Sequence, residues 1–90
     1  MVRFPLGQVV ATPGALEALQ DAGHQPIEFL SRHANNDWGE LGDDDKAAND
    51  AALVQGLRLL SAYDLRNSDR IWIITEHDRS VTTLLLPSEY

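Results

Sequence analysis

Residues Leu57–Leu86 decide the fold: Leu57-Arg-Leu-Leu-Ser-Ala-Tyr-Asp-Leu65, Arg66-Asn-Ser-Asp69, Arg70-Ile-Trp-Ile-Ile-Thr-Glu76, His77-Asp-Arg-Ser80 and Val81-Thr-Thr-Leu-Leu-Leu86. Runs rich in β-branched, aromatic and leucine side chains alternate with short polar groups, which is the pattern of consecutive antiparallel strands joined by tight turns. Asn67, Ser68 and Asp69 suit the first turn, and Asp78 and Ser80 the second. Successive side chains on a strand point to opposite faces, so Ile71, Ile73 and Thr75 share one face of the middle run while Trp72, Ile74 and Glu76 share the other. In the last run Val81, Thr83 and Leu85 oppose Thr82, Leu84 and Leu86. Neither face is cleanly polar. Such a meander needs cover on one side and partial cover on the other, which upstream helices must supply.

Upstream, Met1–Val10 carries Val2, Phe4, Leu6, Val9 and Val10 interrupted by Pro5 and Gly7, which predicts a short strand confined to a sheet edge. Thr12-Pro13 is a helix start, with threonine as N-cap and proline at the first helical position, and Gly23 is a stop, giving a helix from about Pro13 to Ala22. Gln25-Pro26 opens a second, shorter helix with Ile27, Phe29 and Leu30 on its apolar stripe, broken by Asn35-Asn36. Asp43-Asp44-Asp45 opens a third that Gly56 closes. Carboxylates in a first turn accept backbone N–H groups and favour the positive end of the helix dipole. The expectation is an α+β single domain over residues 1–90, with N-terminal helices packed on a three- to four-stranded antiparallel meander sheet.

Ninety residues with 43% apolar and 23% charged side chains suffice for one modest core and exclude a disordered chain. The absence of cysteine excludes disulfide scaffolds, thiolate metal sites and thiol nucleophiles, and it fits a cytoplasmic protein. No secretory leader pattern and no apolar run near the ~20 residues of a membrane span is visible. Charge is the outlier, with 14 acids against 7 bases and a net charge of −7. Direct nucleic-acid binding is disfavoured, because phosphate grip depends on Lys and Arg. An acidic surface either serves solubility or meets a basic protein partner.

The excess is concentrated in residues 37–50, where Asp37, Glu40, Asp43, Asp44, Asp45 and Asp50 oppose Lys46 alone. Trp38, in the compact linker Asp37-Trp-Gly-Glu-Leu-Gly42, either folds back over the core edge or stands out as a partner anchor. His24, His33 and His77 lack the spacing of a metal site, and the aspartate triplet lacks the alternating ligands of a calcium loop, so neither metal nor cofactor is expected. No phosphate-binding glycine loop and no Gly-x-Ser-x-Gly elbow occurs. One constellation could carry chemistry. Glu76-His77-Asp78-Arg79-Ser80 places a possible acid–base pair and a cation near one turn, with His33 as a further acid–base group, the parts a metal-independent ribonuclease needs. The alternative is a polar turn whose Asp78 and Ser80 fix the backbone and whose Arg79 pairs locally.

Ala11-Thr-Pro-Gly-Ala-Leu16, Asp37-Trp-Gly-Glu-Leu41 and Ile73-Ile-Thr-Glu-His-Asp-Arg-Ser-Val-Thr-Thr83 through Leu86-Pro-Ser-Glu-Tyr90 together resemble a family of small bacterial proteins carried on plasmids and other mobile elements. That family brings no activity with it. Its occasional restriction-modification label finds no methyl-donor or helicase motif here. The element order also resembles the RelE/barnase-like architecture, which implies a nuclease or toxin using His33, His77 and Arg79. Together these readings favour a non-enzymatic interaction protein of a mobile element. It would engage a basic nucleic-acid-handling or host-defence protein through Asp37, Trp38, Glu40, Asp43, Asp44, Asp45 and Asp50, as a monomer or small homodimer.

Overall fold

A computed structural model describes residues 3–90. Strand β1 (Gln8–Ala11) is followed by helices α1 (Pro13–Asp21), α2 (Pro26–Ala34) and α3 (Asp43–Gln55). Strands β2 (Leu59–Asp64), β3 (Arg70–Thr75) and β4 (Val81–Leu85) come next, then a 3-10 turn at Pro87–Glu89. The α+β class holds. The expected Val2 lies outside the described residues.

The local signals act as read at most element ends. Thr12 sits extended at the start of α1 and its hydroxyl accepts the Ala15 N–H at 3.1 Å. Glu28 accepts the Gln25 N–H at 2.5 Å, closing the first turn of α2. Gly56 takes the left-handed conformation that ends α3, with φ 70°. The start of α3 differs from expectation. Gly42 stands at its N-cap without a side-chain acceptor, and no hydrogen bond reaches the Asp43, Asp44 or Asp45 carboxylates among the described residues, so they act there through charge alone.

The sheet corrects the expected all-antiparallel arrangement. Strands β2, β3 and β4 form the antiparallel meander, with Ser61 opposite Ile73 and Ile73 opposite Leu84. Strand β1 adds parallel to β4, with Val9 beside Thr82 and Ala11 beside Leu84, so the order is β1-β4-β3-β2 and the sheet is mixed. The helical segment carries the chain from one edge to the other, and the meander then returns to the first strand. The 3-10 turn after β4 thus returns to the start of α1, where Glu89 accepts the Thr12 hydroxyl at 2.6 Å.

Inward residues of the meander, Leu59, Tyr63, Ile71, Ile73 and Leu84, are wholly buried. They pack with Ala15, Leu19, Phe29 and Leu30 of the first two helices, or with Phe4, Trp38 and Ala52. Each such aliphatic side chain contributes about 1.5–3 kcal/mol relative to exposure. The opposite face is covered by the C-terminal residues rather than by an upstream helix. Tyr90 meets Trp72 edge-on at 5.6 Å and receives a hydrogen bond from Arg58 at 2.5 Å. Helix α3 lies along the β2 edge, where it buries only Asn49 and Ala52.

Candidate functional site

Helix α2 turns Phe29, Leu30, His33 and Ala34 toward the sheet, so His33 enters the core with no solvent exposure. There it meets inward hydroxyls of β2 and β3, the second of which is joined to one on β4. Its Nδ1 lies 2.6 Å from Ser61 Oγ and its Nε2 2.8 Å from Thr75 Oγ1. Thr75 Oγ1 is 2.8 Å from Thr82 Oγ1, whose hydroxyl donates to the Leu6 carbonyl at 2.7 Å. A carbonyl only accepts and each hydroxyl has one proton, so Thr82 donates to Leu6, Thr75 to Thr82 and His33 Nε2–H to Thr75. The last link follows the charge of the ring: on a neutral imidazole Ser61 donates to Nδ1. Burial, assisted by the nearby Arg79 charge, lowers the His33 pKa from 6.5 to about 4. His33 is therefore a structural bridge between α2 and all three meander strands. An RNA phosphate has no route to it in the folded protein.

The turn between β3 and β4 is likewise committed to structure. Arg79 stands at φ 61° and its Nη1 donates to the Leu57 carbonyl at 2.6 Å and the Glu76 carbonyl at 3.1 Å. Its guanidinium carbon lies 5.8 Å from the centre of the Phe4 ring. Asp78 accepts both the Ser80 hydroxyl and the Ser80 N–H, at 2.6 and 3.1 Å, and these bonds hold its carboxyl below the usual range. His77 is exposed on the turn. The three residues of the nuclease reading therefore do not gather around an open phosphate position.

The acidic stretch divides into carboxylates that hold the fold and carboxylates that do not. Asp37 takes Arg32 in a two-point ion pair, at 2.7 and 3.3 Å, which with the Gly39 N–H lowers its pKa. Its carbonyl receives the Tyr63 hydroxyl at 2.5 Å, and burial raises the phenol's pKa. Trp38 is 3% exposed and its indole N–H donates to Asp50 at 3.0 Å, so the ring plugs the core edge instead of standing out as an anchor. Glu40 donates its N–H to the Ala62 carbonyl at 2.7 Å and accepts the Asp64 N–H on its carboxylate at 3.0 Å. Gly39 sits at φ 75°, where a Cβ would run into that same Ala62 carbonyl. Asn49 completes the series by receiving the Leu60 N–H at 3.1 Å and donating back to the Leu60 carbonyl. With the Ala62 N–H donated to the Trp38 carbonyl at 3.2 Å, the outward N–H and C=O of Leu60 and Ala62 and the N–H of Asp64 are all satisfied.

Set against family models, curated proteins and solved structures, the chain matches none.

Asp43, Asp44 and Asp45 remain. All three are exposed on the first turn of α3, without an ion pair or hydrogen bond to their carboxylates among the described residues. Along the outer side of the same helix Ala47, Ala48, Ala51 and Val54 are exposed, Val54 at 87%. Small apolar side chains next to carboxylates leave room for long basic side chains to lay their methylene stems down while the charged ends reach the acids. Among the described residues no three His, Asp or Glu side chains converge to hold a metal, and no helix is long and apolar enough to cross a membrane. Sequence reasoning missed the buried relay, although Thr75 and Thr82 already stood on the apolar faces of their strands. It could not separate the stapling acids from the free ones, because that depends on where residues 37–42 run along β2.

Proposed function

We propose that this is a non-enzymatic interaction protein of a mobile element, whose α3 turn and outer flank engage a basic segment of a nucleic-acid-handling or host-defence protein. The observation that carries the reading is the exposed Asp43-Asp44-Asp45 triplet, left without internal partners while Asp37, Glu40 and Asp50 are all engaged. The likeness in sequence to plasmid-borne proteins supports the setting, and the −7 net charge supports the sign of the partner. Electrostatic complementarity of this kind chiefly sets association rate and partner choice.

The test is capture of basic proteins by the immobilised chain across a salt series, with the triple variant Asp43→Asn, Asp44→Asn, Asp45→Asn beside it. Binding should fall steeply with salt and vanish in the triple variant, whose fold stays intact because those side chains bond to nothing within it. Capture indifferent to both salt and the triple variant refutes the reading.

A further inference from the structure

The two edges of the sheet are treated differently. On β2 the outward groups are closed by Asn49, the Trp38–Glu40 main chain and the Glu40 carboxylate. On β1 they are open. The Gln8 N–H reaches the Ser80 carbonyl at 2.9 Å and the Thr12 N–H the Leu84 carbonyl at 3.0 Å, so even-numbered residues here bond inward to β4. By the two-residue period of a strand, Val9 and Ala11 turn their N–H and C=O groups outward. Among the described residues nothing receives them. Val9 is 44% and Val10 38% exposed. Lysine, proline, an inward charge or a bulge would normally blunt such an edge, and Gln8-Val-Val-Ala11 has none of them.

We propose that β1 is a self-pairing edge, on which a second copy of this chain adds its own β1 antiparallel about a two-fold axis through Val10. The phase of the strand selects this register. Val9 of one copy faces Ala11 of the other and the reverse, giving four main-chain hydrogen bonds, while the two Val10 side chains meet as a non-hydrogen-bonded pair on one face. Charge selects the occupant. Phe4 to Leu16 is the longest uncharged run in a chain of net charge −7, so a partner recruited by charge docks elsewhere, and the neutral edge is matched by another neutral edge. The capped β2 edge limits the assembly: once β1 has paired, no open edge is left to extend it, and the product is a closed dimer rather than a filament.

The absence of cysteine makes the register directly readable. Opposed residues of a non-hydrogen-bonded pair lie about 4.5 Å apart at Cα, within the roughly 4.4–6.8 Å span of a disulfide. Val10→Cys should therefore oxidise to a covalent dimer many-fold faster than Val9→Cys or the fully accessible Val54→Cys. In sedimentation velocity the unmodified chain should shift from monomer to dimer with concentration. Val10→Lys should lose that shift, even though it lowers the repulsion between copies by changing the net charge from −7 to −6. Added salt should strengthen the self-association of two acidic copies, opposite to its effect on capture of a basic partner, so failure here and failure of the α3 reading are separately visible. A chain monomeric at every concentration overturns the proposal, whatever other strand the edge then accepts, as do equal oxidation rates for the three cysteine variants.

Discussion

Acid should weaken this fold through one histidine before it touches the carboxylates. In the folded chain His33 titrates at about 4, against 6.5 for a free histidine. Between those values the unfolded chain holds a proton that the folded chain refuses, so stability rises with pH across the window and is lost as pH falls through it. At roughly 1.4 kcal/mol per decade, the full displacement corresponds to about 3 kcal/mol. That is a large share of the 5–15 kcal/mol typical of a small domain, on the order of a fifth or more. The structural cause is specific. A second ring proton would place a full charge in a position with no solvent exposure, and that charge would face Arg79. Urea unfolding at steps between neutral pH and pH 4, followed by fluorescence of the buried Trp38, reads the loss. His33→Gln should be less stable at neutral pH by about 1–3 kcal/mol for the broken relay, yet nearly flat from 6.5 to about 5. Glu28 and Glu89, lowered from the ordinary 4.5 by the bonds they accept, and Asp37, lowered from 3.8 by its Arg32 pair, add their own losses only at the acid end, from about pH 5 downward. A wild-type profile that is level from 6.5 to 4.5, or one matched in slope by His33→Gln, refutes the reasoning.

Two further outcomes follow from the closed β2 edge. Gly39→Ala forces a Cβ onto a residue at φ 75° and into the Ala62 carbonyl and Tyr63 ring, and should cost about 2–4 kcal/mol in chemical denaturation; a change under about 0.5 kcal/mol would mean the linker is free to move off the strand. Asn49→Ala leaves the Leu60 N–H and C=O unmatched beneath α3 and should lower stability by about 2–3 kcal/mol, with faster exchange of the Leu60 amide in hydrogen-exchange measurements; unchanged exchange at Leu60 would show that Asn49 does not hold the edge.

Much of this architecture is written locally. Thr12-Pro13, Pro26 and Gly56 act through their own dihedral limits and hydrogen-bonding groups, and the meander follows from alternation within each run, so all of these can be read without knowing the fold. The parallel pairing of β1 is different. Gln8–Ala11 gives only the sign of a short edge strand, and its partner Val81–Leu85 is brought to it by the whole intervening path rather than by any residue in it. The same holds for His33. Its helical phase with Phe29 and Leu30 pointed inward, but only the register that stacks Ser61, Thr75 and Thr82 on one face turns a buried histidine into a four-residue relay. The acidic stretch illustrates the limit most plainly. Asp37 and Asp43 are alike as letters, and they part company because residues 37–42 run along β2 while α3 starts in open solvent.

That division bears on how the charge can be probed at all. Neutralising carboxylates chemically and indiscriminately disturbs the Asp37–Arg32 pair, the Glu40 bond to the Asp64 N–H and the Asp50 bond to Trp38 together with the free triplet. The first two fasten the linker to α2 and to the sheet and the third ties α3 to Trp38, so lost binding under that treatment would follow from a loosened β2 edge as readily as from lost attraction. Only substitutions at Asp43, Asp44 and Asp45 change the surface potential while every staple stays in place. Salt is the complementary probe. It screens the exposed triplet over about 10 Å at 0.1 M and acts less on the short, part-buried hydrogen bond from Trp38 to Asp50. A chain that sheds its partner in salt while its thermal midpoint holds steady therefore separates the recognising acids from the fastening ones, which no titration of the whole molecule can do.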